Sequence, residues 1–416
     1  MKKRLTLLLA FLISASAFCD DIPFRQQRRE VFSLTPVTSE SVVFMGNSIT
    51  NFGVWAEFFG DTPNVINRGI AGIQAEEWRD NFDLVLSGHP KKIFLMIGIN
   101  DYADNSVVAP AVRTMIQRVK SVSPATQVYV QSILPSYVPA RSSTPTTVNP
   151  QLQSLCAELG ATFIDLSKVM DDSGYYDDRL HPTVNGYRVW AEAIKSYVGS
   201  EPKILSGTYT NQSFNSWGLY KNRILGQYAM LPVNAGDVLM FGDYQVQTAE
   251  WAELLHNAKV KNRGIGLGHG VNLYSSDLNT VVSACLPSGS QPSGIFVQCG
   301  QRDAYDNVAP ATILNNLKTA VQTMRTRAPG ATIYLQSLIP AENDTTNSKV
   351  IVPFNRLLKD WVKAQNDGKI RYIDVYSKLV DKGVLAKRYR GANTSQSKGL
   401  GADGYARWAK VLMKYL

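Results

Sequence analysis

The chain is written twice. "TPVTSESVVFMGNS" (35–48) returns as "LPVNAGDVLMFGDY" (231–244), and "VINRGIAG" (65–72) as "VKNRGIGL" (260–267). "IFLMIGINDYAD" (93–104) returns as "IFVQCGQRDAYD" (295–306), "VYVQSILPS" (128–136) as "IYLQSLIPA" (333–341), and "NGYRVWAEAI" (185–194) as "DGYARWAKVL" (403–412). A period of about two hundred residues with the segments in constant order indicates a duplicated domain, since solenoid repeats run to roughly 20–50 residues. With 416 residues, 44% of them hydrophobic and 19% charged, each copy has enough apolar material for its own core. The expected division is a leader at 1–19, one domain at 20–200, a polar linker at 201–216 (EPKILSGTYTNQSFNS) and a second domain at 217–416.

Each copy alternates apolar runs with helical patterns. In the first copy the runs fall at 42–45, 64–66, 93–97, 127–131 and 162–166, with helical periodicity at 107–122 and 149–159. The runs lack a strict two-residue alternation, as expected of strands covered on both faces. The pattern predicts an α/β fold, a parallel sheet with helices on each side. Sites in such sheets form at the carboxyl ends of strands. Ser48, Gly72 and Asn100 each closely follow an apolar run and are expected along one edge.

Ser48 stands where a strand gives way to a helix. A serine hydroxyl is a weak nucleophile without a base in hydrogen-bond reach. Of the four histidines, His89, His181, His256 and His269, His181 lies in "YDDRLHPTVNGY", just ahead of an amphipathic helix and three residues after Asp178. One short loop can present both side chains, the carboxylate orienting the ring. Charge developing on a substrate carbonyl needs donors, and the backbone N–H of Ser48, that of Gly72 and the amide of Asn100 are candidates. Asp101 is expected to support its loop. Asp177 is an alternative carboxylate. Trp55, Phe58, Phe59, Trp78 and Tyr102 are candidates for stacking on a sugar or lining an acyl pocket, with core packing the default at helical spacing.

Gly46-Asn47-Ser48, Gly72, Gly98-Ile99-Asn100-Asp101 and Asp178-Arg179-Leu180-His181 resemble the four blocks of the SGNH (GDSL-like) esterases. "FMGNSIT", "NRGIAG" and "HPTVNGY" look most like the group of platelet-activating-factor acetylhydrolase catalytic subunits and bacterial acetylesterases. The resemblance covers about residues 35–200 and implies two tandem flavodoxin-like three-layer αβα domains. It also implies serine ester hydrolysis without a metal or other cofactor. On it, Ser48 is the nucleophile, His181 the base, Asp178 its partner, and Ser48, Gly72 and Asn100 the oxyanion donors. Asn47 departs from the family's usual aspartate before the serine. In the second copy Ser48 becomes Tyr244, Gly72 becomes Leu267, Asn100 becomes Arg302, and Asp178 and His181 fall on Gln396 and Gly399. That copy is expected to be non-catalytic and to pack on the first. His269 and Arg302 near its vestigial edge are expected to be ordinary residues rather than a base and an anion grip.

Residues 1–19 (MKKRLTLLLAFLISASAFC) read as a cleaved secretory signal, basic and then apolar, with cleavage after Ala17 or Cys19. A lipidated Cys19 is the weaker reading because bulky Phe18 precedes it. Secretion or a periplasmic location follows, without an integral membrane segment. Of the net charge of +9, three charges sit on Lys2, Lys3 and Arg4, and no Lys/Arg block or nucleic-acid motif occurs. The four cysteines, Cys19, Cys156, Cys285 and Cys299, lack zinc spacing; Cys285 and Cys299 are either a disulfide or two buried thiols. The leading expectation is a secreted esterase removing short acyl groups, O-acetyl on carbohydrate foremost. A lysophospholipase or platelet-activating-factor-type acetylhydrolase is the enzymatic alternative, and a glycan-binding or scaffold protein the non-enzymatic one.

Overall fold

The apolar runs of the first copy become strands with little change of bounds. The computed structural model describes residues 22–60, 64–207, 218–267, 271–391 and 399–416. The leader at 1–19, most of the linker at 201–216, His269 and Gln396 lie outside these residues. The strands are β1 (Val42–Gly46), β2 (Val65–Gly69), β3 (Lys92–Met96), β4 (Gln127–Gln131) and β5 (Thr162–Ile164). They pair in parallel in the order β2-β1-β3-β4-β5, with Gly46 level with Gly69 on one side and Met96 on the other. This is the flavodoxin-like order, whose switch point lies at β1. Every residue of β1 is buried, which is why "VVFMG" carries no polar alternation.

Helices Val108–Val122, Thr144–Leu159 and Val184–Val198 connect or follow the strands. The second begins earlier than the expected 149, with Pro145 in its first turn, where a missing N–H costs little. Val184–Val198 starts on Thr183, whose side chain accepts from the N–H of Gly186, and ends on left-handed Gly199. It buries Tyr187, Trp190, Ala191 and Ile194 along one stripe.

The second copy repeats this sheet, in the order Ile370–Ile373, Thr332–Gln336, Gly294–Gln298, Val238–Gly242, Val260–Gly264, again parallel. Its internal wiring repeats as well. Trp55 donates to the carbonyl of Thr50 at 2.8 Å and Trp190 to Gln131 at 2.7 Å; Trp251 donates to Val246 and Trp408 to Gln336, both at 2.7 Å. The paired rings meet edge to face, 4.6 Å apart in one copy and 4.9 Å in the other. Trp55 is fully buried and also stacks on Phe44 at 4.5 Å. Trp55→Ala is expected to destabilise the first unit by about 3–5 kcal/mol, read by urea unfolding.

The units are not divided where composition suggested. One takes the chain through Arg25 and from Pro36 to Met230; the other takes Gln26–Thr35 and Leu231–Leu416. The expected boundaries at 200 and 217 therefore move. The cause is helix Leu219–Ala229, which precedes the second copy in the repeat yet packs in the first unit. There Gly226 lies against Val184, and buried Gln227 donates to the carbonyl of Phe52 at 2.8 Å. In the other unit Arg28 reaches the carbonyl of Thr248 and the carboxylate of Glu250, both at 2.6 Å. Cys156, Cys285 and Cys299 are buried and form no disulfide, so Cys285 and Cys299 are not bridged to each other. No helix among the described residues is long and apolar enough to cross a membrane.

Candidate active site

The site begins with a turn that only certain residues permit. Gly46 ends β1 where a Cβ would strike the carbonyl of Met96 and the side chain of Thr50. Asn47 then caps the short helix Ser48–Asn51, its side-chain oxygen accepting from the N–H of Ile49 at 3.0 Å. An uncharged residue performs the cap here. Its counterpart Asp243 caps the same turn in the second unit as a buried carboxyl, pushed up to about 7 by burial. Tyr187 donates to the carbonyl of Ile49 at 2.7 Å and pins the turn. Ser48 is left 8% exposed at the sheet edge.

The partner loop is shaped by Asp178. Its Oδ1 accepts from the N–H of Leu180 at 3.1 Å and of His181 at 2.7 Å, around Arg179 in the left-handed region at φ 70°. Its Oδ2 accepts from His181 Nδ1 at 2.7 Å, and His181 Nε2 lies 2.8 Å from Ser48 Oγ. A carboxylate only accepts, so it assigns the ring proton to Nδ1 and leaves Nε2 to accept from the serine hydroxyl. Burial opposes the charge on Asp178, but His181, Arg223 and the hydrogen bonds from His181 outweigh it and hold the carboxyl well below the usual range. The structure thus brings Ser48, His181 and Asp178 into one chain of hydrogen bonds, an arrangement able to move a proton off the serine as it attacks.

The donor candidates lie at the neighbouring strand ends. Gly72 has φ 80°, a conformation that favours glycine, and its carbonyl accepts from Arg25 at 3.2 Å. Asn100 donates through Nδ2 to the carbonyl of Ile73 at 3.0 Å, and its Oδ1 accepts from Arg141 at 3.0 Å. Arg141 thereby fixes which way the amide faces. Asp101 accepts from the N–H of Ala75 with both oxygens, at 3.2 and 3.3 Å, tying the loops after β2 and β3 together. That is the supporting role expected of it.

Burial pushes the Asp101 carboxyl up to about 7. The folded state therefore binds a proton more tightly than the unfolded one. The stability this contributes is fully present below the ordinary carboxylate pKa and is lost as pH rises through about 7. Asp101→Asn keeps one acceptor for Ala75 and cannot ionise. Its stability relative to wild type is expected to improve by about 2–4 kcal/mol between pH 4 and pH 8, read as the difference in denaturant unfolding.

Other expectations are corrected or refined. Trp55, Phe58, Phe59 and Trp78 are fully buried in the core, so they neither stack on a sugar nor face a ligand. Tyr102 is 40% exposed, with the Arg141 guanidinium 4.6 Å from its ring. Asp177 faces Arg223 rather than His181, through a forked ion pair. His89 sits in a loop at φ 52°. Arg223, Arg141 and Gln227 were not anticipated. The one signal was the acidic pair Asp177-Asp178, which asks for a cation without naming it.

In the second unit the equivalent space is filled. Tyr244 stands at the place of Ser48 and donates to Gln27, and Gly399, at the place of His181, lies against Gln27 and Tyr244. Arg302 is paired with Asp306 at 2.9 Å and lies 5.9 Å from the Tyr274 ring. Among the described residues, no group of three or more His, Cys, Asp or Glu is placed to hold a metal.

Residues 44–189 match the model of the GDSL-like Lipase/Acylhydrolase family. Among curated proteins none matches the chain. Solved structures similar to part of it include a protein described as a platelet activating factor from Streptococcus pneumonia, at 25% identity over 48% of this chain and 99% of that one, TM-score 0.39. An acetylxylan esterase from Geobacillus stearothermophilus is 18% identical over 40% of this chain and 97% of its own, TM-score 0.32. A lipolytic protein of the G-D-S-L family from Desulfitobacterium hafniense is 21% identical over 38% and 99%, TM-score 0.34. Ser48, His181 and Asp178 all fall within residues 44–189, the part of this chain that is similar to the GDSL-like Lipase/Acylhydrolase family.

Proposed function

We propose that the first unit is an exported serine esterase that removes short acyl groups, O-acetyl groups of carbohydrate foremost. The observation that carries this reading is the pair of contacts at His181, 2.8 Å to Ser48 Oγ and 2.7 Å to Asp178. Ser48 attacks the ester carbonyl as His181 Nε2 takes its proton. The oxyanion is met by the N–H groups of Ser48 and Gly72 and by the amide of Asn100. His181 then returns the proton to the departing alcohol, leaving an acyl-serine. Water, deprotonated by the same ring, releases the acid and restores Ser48. The signal read in residues 1–19 supports export and, with it, glycan esters over cytosolic thioesters. The second unit, with Tyr244 and Gln27 filling the equivalent place, is read as non-catalytic.

A fluorophosphonate probe is expected to label the wild-type protein once, at Ser48. Acetate release is then measured over acetylated glycans, with phospholipids and nitrophenyl esters of increasing chain length in parallel. Release from glycan with a preference for acetate over octanoate supports the reading. Phospholipid turnover in its place moves the substrate to lipid, and an unlabelled protein overturns the esterase.

A further inference from the structure

The contacts of Ser48, His181 and Asp178 leave one neighbour unexplained, a guanidinium buried to 1% exposure beside them. We propose that Arg223 is a positioning residue of this site, holding Asp178 ionised and aimed at His181 from a helix outside the family match. The inference rests on the serine-hydrolase reading.

Arg223 Nη2 lies 3.1 Å from Asp178 Oδ2, the oxygen that also accepts from His181 Nδ1. The same guanidinium forks onto Asp177, with Nε 3.2 Å from Oδ2 and Nη2 on Oδ1. Two neighbouring carboxylates, Asp177 nearly buried and Asp178 half-buried, repel, and without a cation one takes up a proton or turns away. Arg223 prevents both at Asp178 and, through the planar fork, fixes the direction of each carboxylate. The guanidinium also lies 5.8 Å from the Phe52 ring, which packs between the His181 ring at 5.1 Å and the Tyr220 ring at 4.9 Å. One turn along the helix, Gln227 holds the carbonyl of Phe52 at 2.8 Å and the N–H of Val54 at 3.3 Å. The helix Leu219–Ala229 thus braces the carboxylates and the segment that follows Ser48.

The repeat supplies a second, independent observation. Extending the ungapped match of 35–48 with 231–244 backwards pairs Gln27 with Arg223. In the second unit Gln27 sits on Tyr244 and beside Gly399, the counterparts of Ser48 and His181. The same helix position faces the same place in both units. It carries a cation where the Asp178–His181 pair is present and a neutral amide where histidine and serine have been replaced.

The titratable and charged groups facing the pair are Asp177, Arg223, Tyr187 and Tyr220, with Arg179 next in the chain. Arg223→Gln removes the guanidinium in contact with Asp178, so a proton adds to the pair more easily. The variant is expected to lose about 10- to 100-fold in kcat, the range common for groups that orient a ligand without replacing it. KM should stay near wild type, and the acid limb of kcat/KM should move to higher pH. The downfield proton NMR signal of the His181 Nδ1–H, identified by its absence from His181→Asn, should be lost or broadened in Arg223→Gln. Arg223→Lys should restore the acid limb and part of kcat. Gln227→Ala, which loosens the same helix without touching a carboxylate, should lower Tm and leave the acid limb in place.

An Arg223→Gln protein that keeps both the wild-type pH profile and the downfield signal overturns the inference. So does a loss equal in Arg223→Lys and Arg223→Gln that follows Tm alone. If the wild type neither takes the fluorophosphonate label nor cleaves esters, it is the hydrolase reading that fails. The NMR signal still decides the role of Arg223, supporting it if lost in Arg223→Gln and overturning it if retained.

Discussion

Ser48→Ala is expected to lower kcat/KM for nitrophenyl acetate by roughly 10^4- to 10^6-fold while leaving the protein folded. The size follows from what the hydroxyl does. It is the oxygen 2.8 Å from His181 Nε2, the ring atom placed to take its proton. Removing it leaves the donors able to polarise a carbonyl and the ring able to activate water, which accounts for the residual rate. The fold is spared because the helix at this turn is capped by Asn47, not by Ser48, and because Tyr187 holds the carbonyl of Ile49 independently. Fluorophosphonate labelling should vanish with the activity, and the melting curve should hardly move. A variant retaining activity within tenfold of wild type would place the nucleophile elsewhere and sink the proposed function.

The same residues show what could be read from the sequence. The strand ends were legible because buried parallel strands need unbroken apolar runs, and "VVFMG" and "KIFLM" are such runs. Ser48, Asp178 and His181 were legible because Ser48 closely follows an apolar run, at a strand's carboxyl end, and a three-residue spacing lets one loop carry acid and base. Arg223 was not legible. Its partner carboxylates lie 45 and 46 residues earlier, and nothing local tells helix Leu219–Ala229 to join the unit that precedes it. Nor could helical spacing separate a core aromatic from a ligand-facing one. Trp55 and Trp78 have polar N–H groups that suit either role, and only the fold shows them spent on the carbonyls of Thr50 and Gly46. The second copy was legible as degenerate from Tyr244 and Gly399, but not as filled, because Gln27 comes from a distant part of the sequence.

Asp178→Asn should cost about 10^4-fold in kcat, although it changes one atom and no shape. The asparagine has one oxygen to satisfy two demands. If it keeps the oxygen toward the N–H groups of Leu180 and His181, its NH2 meets His181 Nδ1 and Arg223. Donor then faces donor, and the ring avoids this by moving its proton to Nε2, where it can no longer accept from Ser48. If the amide flips, the ring keeps its tautomer, but two backbone N–H groups that shape the loop lose their acceptor. Neither orientation restores the wild-type arrangement, and in both Arg223 loses one of the two charges it pairs with. Stopped-flow measurement of the acylation burst separates the cases. A slow burst with a normal melting curve indicates the wrong tautomer, and a slow burst with lowered Tm indicates the loosened loop. A burst within tenfold of wild type would show that the carboxylate charge is not what aims His181 at Ser48.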